Sequence, residues 1–281
     1  MYEAGKAYGF FSLQIFIQDL RRSQKRLIRY SVVLTVILCF FYLLYPMLSS
    51  GHLYDLILFN FLPEMMEDFF KLEWLEQFRS FSFYFPFVIQ FIMMLLCIFA
   101  CMQGLTALRK EEEDGTAEFL FSLPVTRQAV YLSKFCSRLV TIVILNLWCV
   151  VTTAVLCAIV APDGSAWSVW MLKVYGFVFI SEFVFFSFGF LLSTLIHDIT
   201  TATSIAFGSF LLTYLCGLAA TLFKRVEWLR FVSPYHLVNP FEIVGNSYIL
   251  DGIHFLILFL FSVLCLLSGC VRYLKKDFLR R

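Results

Sequence analysis

Six long runs of apolar residues, separated by short polar stretches, dominate the hydropathy pattern of this chain. Each run supplies about the 20 residues with which an α-helix crosses ~30 Å of hydrocarbon. The pattern therefore predicts an all-α integral membrane protein with six transmembrane helices. The predicted spans cover residues 31–48, 83–108, 135–161, 167–196, 200–223 and 253–273.

The segment of residues 8–28, before the first span, is amphipathic rather than uniformly apolar. Apolar residues recur on it at helical spacing, and a basic run, residues 21–29, overlaps its end. We predict an amphipathic helix that lies in the membrane interface, with an ordinary juxtamembrane anchor as the alternative. Its polar side is predicted to carry Gln14, Gln18, Asp19 and Arg21.

The composition agrees with a membrane protein, because 60% of the residues are hydrophobic and only 15% are charged. A soluble domain is close to half apolar and a quarter charged. The nine cysteines all lie in or beside predicted spans, where cysteine serves as a small buried apolar residue. A disulfide framework is therefore not expected.

The basic residues predict the orientation of the spans. Five Lys or Arg residues lie in the stretch 21–29, five in the central loop and the start of the third span, and five in the tail. The alternate loops are poorer in basic residues, and residues 52–82 carry two of them against six acids. Since basic residues concentrate on the cytoplasmic side, both termini and the central loop are predicted to be cytoplasmic. The expected location is the plasma membrane, with several passes through it.

Two segments on the predicted outer side are more than plain linkers. Residues 52–82 alternate apolar and acidic side chains, which predicts one or two amphipathic helices at the outer surface. Residues 224–252 combine several aromatic side chains with Pro234 and Pro240. This second segment is either an aromatic cap at the membrane interface or a re-entrant or lid segment.

Motifs for catalysis are missing from the sequence. It contains no G-x-x-x-x-G-K-[ST], no H-E-x-x-H and no G-x-S-x-G. The four histidines are far apart and divide between the two sides of the membrane, so they do not predict a metal site. We therefore expect no catalytic residue, no metal ligand and no cofactor in this chain, and we do not expect an enzyme.

Glu182 lies near the middle of the fourth predicted span. An ionisable residue inside the membrane is energetically expensive, which makes this glutamate a candidate for a role in function. The alternative is a protonated glutamate that is hydrogen-bonded to a neighbouring helix. The sequence leaves both interpretations open.

The loop of residues 109–134 is the longest polar interruption between two strongly apolar segments. Four acids at residues 111–114 extend the second span, Gly115 and Thr116 break the helix, and Pro124 ends a short helix at residues 117–123. That short helix carries Phe119, Leu120 and Phe121, which suit the groove of a cytoplasmic partner. The alternative is a solvated loop helix that packs on its own bundle.

The loop resembles the signature of type-2 ABC exporter permeases, written here as E-E-x-G-T-x-E-F-L-x-S-L-P-V-T-R from Glu112 to Arg127. The basic N-terminal helix, the six spans, the Tyr45–Pro46 pair and the basic tail also match the layout of that family. The resemblance covers essentially the whole chain.

The resemblance implies a permease without its own ATPase. Such permeases pair with a separate nucleotide-binding ATPase subunit, which binds ATP and Mg, and they work as dimers of six-span subunits. Their loop between spans two and three holds a coupling helix that docks on the ATPase. The residues to which the resemblance gives this partner-binding role are Glu112, Glu113, Gly115, Thr116, Glu118, Phe119, Phe121, Pro124 and Arg127.

We therefore predict a single transmembrane permease domain, residues 1–281, that belongs to an ATP-driven exporter of a hydrophobic or amphipathic peptide, toxin or drug. The expected partners are the ATPase subunit, a second permease subunit of the same or a different kind, and the lipid membrane. Nucleic acid is not expected. The alternative is a non-transporting membrane sensor, immunity or scaffold protein that docks a cytoplasmic partner through residues 109–134.

Overall fold

The computed structural model describes residues 11–50, 79–109, 125–160, 167–196, 198–244 and 252–275. Most of the predicted outer segment 52–82 and the centre of the loop, residues 110–124, lie outside these ranges. The described residues are almost entirely helical and contain no β-strand.

Within the described ranges, six long helices form the bundle, and each is long and apolar enough to cross a membrane. They are α1 (Leu13–Ser49), α2 (Phe81–Ala107), α3 (Arg127–Val160), α4 (Trp167–Leu195), α5 (Ile199–Leu222) and α8 (Gly252–Lys275). The chain between α5 and α8 holds a 3₁₀ segment (Lys224–Val232) and the short helices α6 (Pro234–Leu237) and α7 (Pro240–Val244). The predicted all-α fold with six spans is confirmed.

Helix α1 is continuous over 37 residues, or about 55 Å, and therefore joins the predicted amphipathic segment to the first span. It runs parallel to α3, because residues further along α1 contact residues further along α3. The backbone N–H of Ser12 donates to Ser133 Oγ at 2.8 Å, and Trp148 Nε1 donates to Thr35 Oγ1 at 2.9 Å. The placement of the N-terminal half in the membrane interface stays a prediction.

Helices α2 and α4 lie at the centre of the bundle and approach each other closely at two glycines. A Cβ atom on Gly104 would lie 2.3 Å from the carbonyl oxygen of Phe186, and one on Gly189 would lie 2.2 Å from that of Cys101. Small residues let helix backbones pack at this distance in membranes. The two glycines therefore set the spacing of the core helices.

The described part of the segment between α5 and α8 folds back into the bundle. Ser181 Oγ donates to the carbonyl oxygen of Pro234 at 3.1 Å, and the ring of Tyr235 packs 5.5 Å from that of Phe210. Phe210 lies about 18 Å along the axis from the last residue of α5. Irregular backbone is tolerated at this depth where protein surrounds it. Of the two alternatives for this segment, the described part has the geometry of a re-entrant segment.

Candidate functional site

Most of the residues predicted to contact a partner fall outside the described residues. Only Arg127 belongs to the described part, where it begins α3. The eight others are Glu112, Glu113, Gly115, Thr116, Glu118, Phe119, Phe121 and Pro124.

The start of α3 is bonded to the end of α8. Arg127 Nη1 donates to the carbonyl oxygen of Leu274 at 3.0 Å, and the Tyr131 hydroxyl donates to that of Leu266 at 2.7 Å. Thr126 Oγ1 accepts a hydrogen bond from a backbone N–H of the first turn, at 3.2 Å, in the manner of an N-cap. The helix that follows the loop is therefore tied to the last span.

A buried ion pair joins α1, α2 and α3 close to the same end of the bundle. Arg138 Nη2 donates to Asp19 Oδ1 at 2.6 Å, and its Nη1 donates to Gln103 Oε1 at 3.0 Å. The Arg138 side chain is 0% exposed and that of Asp19 is 5% exposed. We call these three residues the base cluster.

Two more polar contacts surround the base cluster. Ser23 Oγ lies 3.0 Å from Thr141 Oγ1, and Arg26 Nη1 donates to Thr106 Oγ1 at 2.7 Å. The first contact joins α1 to α3 and the second joins α1 to α2. The N-terminal half of α1 is thus held to both neighbours through side chains.

The burial of Asp19 corrects the predicted faces of the N-terminal segment. The sequence pattern puts Asp19 on the polar side of an amphipathic helix, but the residues of this half that face the bundle are Ile15, Asp19 and Ser23. The physical reason is that Arg138 supplies the opposite charge that a buried carboxylate needs.

Glu182 is buried at the centre of the bundle, as its place in the fourth span predicts. Asn146 Nδ2 of α3 donates to Glu182 Oε1 at 3.0 Å. The second carboxyl oxygen, Oε2, is buried and has no hydrogen-bond partner among the described residues. The thiols of Cys97 and Cys149 lie within electrostatic reach. We call Glu182, Asn146 and these two cysteines the central cluster.

The central cluster has the chemistry of a neutral hydrogen-bonding site. Ionising a carboxyl group in an apolar interior is costly when one amide is its hydrogen-bond donor. The contact between Glu182 and Asn146 is the bond to a neighbouring helix that the second interpretation of Glu182 requires. Over the described ranges, no three His, Cys, Asp or Glu side chains are grouped so that they could hold a metal ion.

Two cavities flank the re-entrant segment. One, of about 280 Å³, lies between α2, α5 and the helices α6 and α7 and is lined partly by Gln90, Tyr214 and Asn239. The other, of about 290 Å³, lies between α4, α5, α8 and the re-entrant segment. Its lining is mainly apolar: Val184, Phe185, Phe188, Ser209, Thr213, Phe231, Val232, Pro234, Ile257, Leu258 and Phe261.

The base cluster and Asn146 are not among the predicted site residues, although the sequence contains a signal for them. Gln103 lies within the second predicted span, and Arg138 and Asn146 lie within the third. Polar residues inside a span usually face the bundle interior and pair there. The charge pattern instead assigns Arg138 to the basic residues that flank the third span, which does not predict its burial.

Comparison with known proteins gives one family. The sequence model of the family described as "ABC-2 family transporter protein" matches residues 66–278, well over half of the chain. The matched stretch contains the loop of residues 109–134 and every described helix from α2 to α8. No curated protein matches the chain.

Proposed function

Because the chain belongs to the ABC-2 family of transporter proteins, we propose that it is the permease subunit of an ATP-driven exporter. A separate subunit hydrolyses ATP, and this chain forms part of the path through the membrane. The chain is a multi-pass membrane protein, and the described residues include six helices able to span a bilayer. We place it in the plasma membrane with both termini in the cytoplasm, as the distribution of basic residues predicts.

The observation that carries this proposal is the family match over residues 66–278, since the matched stretch includes the entire loop of residues 109–134. In the proposal, residues 117–123 form the coupling helix, and Phe119 and Phe121 enter a groove on the ATPase. Glu118 and Arg127 contribute charge-assisted hydrogen bonds to that interface. ATP and Mg bind to the partner, and this chain supplies no catalytic residue.

The base cluster supports a mechanical role for α3. The helix begins at Arg127, within the loop of residues 109–134, and is bonded to α8 through Arg127, to α1 through Asp19 and to α2 through Gln103. These contacts are buried or partly buried, so the helices they join resist sliding past one another. A displacement of the loop would therefore move the bases of four spans together, which is what alternating access demands of a coupling element.

The cavities support a hydrophobic or amphipathic cargo. The cavity near Gln90 and Asn239 offers neutral hydrogen-bonding groups beside aromatic rings, and the other cavity is mainly apolar. Pockets of this kind bind ligands through apolar contact with a few oriented polar groups. A peptide, toxin or drug with apolar surface fits that chemistry.

Copurification tests the proposal. The full chain, isolated from its native membrane, should carry an ATPase subunit with a Walker motif, and Glu118→Lys or Phe119→Ala should lower ATP turnover of the complex. Phe223→Ala is the matched control, because Phe223 is an exposed phenylalanine at the opposite end of the bundle. Finding no ATPase, or unchanged turnover in both loop variants, would refute the exporter. A bound cytoplasmic partner without ATPase activity would favour a scaffold or sensor instead.

A further inference from the structure

The cavity between α4, α5 and α8 offers a ligand almost no hydrogen-bond donors. Its two hydroxyl groups donate to backbone carbonyl oxygens of their own helix. Ser209 Oγ donates to the carbonyl oxygen of Ala206 at 2.8 Å, and Thr213 Oγ1 donates to the carbonyl oxygen of Ser209 at 3.0 Å. Pro234 has no backbone N–H to give. The remaining lining is aliphatic or aromatic. An apolar ligand is therefore favoured over a polar one.

The cavity opens sideways from the bundle. Its rim residues Val232, Ile257 and Phe261 are 44%, 42% and 42% exposed, whereas Leu258 and Phe185 on its inner wall are buried. Ile257 and Phe261 lie about 8 and 14 Å along α8 from its first residue. At that depth the exposed side of a spanning helix meets the hydrocarbon of the bilayer. A ligand can therefore enter from the membrane without crossing water.

A cationic group stands beside the cavity. The Arg230 guanidinium lies 4.8 Å from the centroid of the Phe231 ring, and Phe231 lines the cavity. In the sequence, the stretch 224–232 that includes Arg230 contains three basic residues and one acid. The Phe231 ring packs 5.6 Å from that of His254, two residues from the start of α8, so the adjoining Arg230 lies near the end of that span. Arginine side chains in such positions keep their charged groups at the interface, where lipid phosphates lie. The site thus combines an apolar cavity with an adjacent positive charge.

We propose that this cavity binds one acyl chain of an anionic phospholipid, with the lipid phosphate next to Arg230. The cavity volume of about 290 Å³ is close to the lower end of ligand pockets, ~300–1,000 Å³, and suits part of one acyl chain. A lipid held there would pack the re-entrant segment against α4 and α8. This site does not depend on the export function, and it would exist in a scaffold protein as well.

Photolabelling in vesicles of defined composition tests the site. The full chain is reconstituted in phosphatidylcholine vesicles that contain a small fraction of phosphatidylglycerol with a photoreactive group midway along one acyl chain. Labelled peptides are then identified by mass spectrometry. We expect labelling of residues 184–188 and 257–261 well above that of Val36 and Phe40, which are simply exposed on α1. Equal labelling of both regions would mean ordinary surrounding lipid and would overturn the proposal.

Substitutions test the binding of the acyl chain separately from the recognition of the lipid headgroup. Val184→Trp fills the cavity and should lower its labelling about ten-fold, the effect of displacing roughly two methylenes. Leu212→Trp, on an exposed position of α5 outside the cavity, should leave the labelling unchanged. Ser209→Leu fills the same space from α5 if the first variant fails to fold. Unchanged labelling in a folded cavity-filling variant would overturn the proposal.

Arg230→Gln tests whether the site recognises an anionic headgroup. Two probe lipids are compared, and both carry the same photoreactive acyl chain. In the parent protein, the phosphatidylglycerol probe should label the cavity more strongly than the phosphatidylcholine probe. In the variant, the two should label it equally, with labelling by phosphatidylcholine retained as the sign of an intact fold. If the parent protein already labels equally with both probes, the assignment to an anionic lipid is wrong.

Discussion

The base cluster and the central cluster both bury a carboxyl group, but they compensate it in different ways. Asp19 meets a guanidinium at 2.6 Å, and the same guanidinium also binds Gln103. Glu182 meets a single neutral amide, that of Asn146, at 3.0 Å. The first arrangement holds two opposite charges, and the second is compatible with a neutral carboxyl group.

The difference indicates two mechanical roles. Removing one partner of a buried ion pair leaves an uncompensated charge, so Asp19 and Arg138 resist separation. A neutral hydrogen bond contributes less, ~0.5–1.5 kcal/mol, and it can exchange partners during a conformational change. We therefore interpret the base cluster as a rigid joint next to the loop and the central cluster as the adjustable contact between α3 and α4.

The largest expected effect is that of Arg138→Met. The substitution removes the guanidinium that is hydrogen-bonded to the buried Asp19, and we expect a loss of ~3–5 kcal/mol in the free energy of unfolding. Thermal unfolding of the detergent-solubilised protein would record a large drop in the midpoint. Arg22→Met, on the exposed face of α1, is the control and should change little.

The double variant Asp19→Leu/Arg138→Met sharpens this test. Replacing both partners of a buried pair with apolar residues is often neutral or stabilising. We expect the double variant to recover much of the midpoint that Arg138→Met loses. A double variant as unstable as the single one would show that Arg138 acts through packing rather than through its charge.

The second prediction concerns the contact between α2 and α4 that lies between the two clusters. In Gly104→Ala, the new Cβ would overlap the carbonyl oxygen of Phe186, a backbone atom that cannot rotate away. Overpacking of this kind costs ~1–3 kcal/mol. Gly176→Ala is the matched control, because an added Cβ there meets nothing within 4 Å. Equal midpoints for the two variants would mean that the helices can move apart freely.

The hydropathy pattern was enough to predict the fold class and all six spans. The observed long helices end within about two residues of most predicted span boundaries, because burial in hydrocarbon dominates where a span starts and stops. The exceptions are α1 and α3, which begin earlier than predicted. Their N-terminal turns are polar enough to resemble flanks, and only contacts between the two helices show them to be part of the bundle.

The side-chain contacts between different helices could not be predicted from a single sequence. Asp19 lies on the polar side of a local pattern, and its partner Arg138 is more than a hundred residues away. The pattern of apolar and polar residues within one segment therefore predicts the wrong buried face when a charge on a distant helix decides which residues are buried. The close approach at Gly104 and Gly189 likewise depends on the register of two helices, which neither sequence segment specifies alone.

The third prediction uses Glu182→Gln to test whether the carboxyl group of the central cluster is neutral, unlike that of the base cluster. A glutamine keeps an oxygen that can accept from Asn146, and it is close in shape to a protonated glutamate. We expect the unfolding midpoint to stay near that of the parent, and Glu182→Leu to cost more, ~1–3 kcal/mol, since it leaves the Asn146 amide unsatisfied. A loss for Glu182→Gln as large as that for Arg138→Met would mean that Glu182 is ionised.

The same variant addresses function. Full transport by Glu182→Gln at normal expression would exclude a role for its proton or charge in handling the cargo. Loss of transport with an unchanged midpoint would make Glu182 part of the transport path. The measurement is uptake or efflux in vesicles that contain this chain and the proposed ATPase subunit, with Ser262→Ala as a control in another buried polar position.

The smallest expected effect is at a third carboxyl group, Asp198, which is fully exposed at the start of α5. Hydrogen bonds from the hydroxyls of Thr200 and Thr201, and from the Thr201 backbone N–H at 2.7 Å, hold the pKa of Asp198 well below its usual range. A carboxyl with a lowered pKa stabilises the fold when it is ionised. That contribution is complete above the unfolded pKa of about 3.9 and is lost as the pH falls toward the folded value.

Asp198→Asn therefore makes an acid-dependence test. The amide can still cap α5, so the midpoint near neutral pH should change only slightly. Between about pH 5 and pH 3, the parent should lose stability slightly more steeply than the variant, because only the parent carries this carboxylate. Parallel profiles would show that the cap contributes nothing through its charge. Asp198 is exposed to water and keeps its charge with only hydroxyl and backbone donors, whereas the buried Asp19 needs a full counter-charge. The two residues are of the same type, so the difference in how the clusters compensate a carboxyl group follows from burial rather than from residue type.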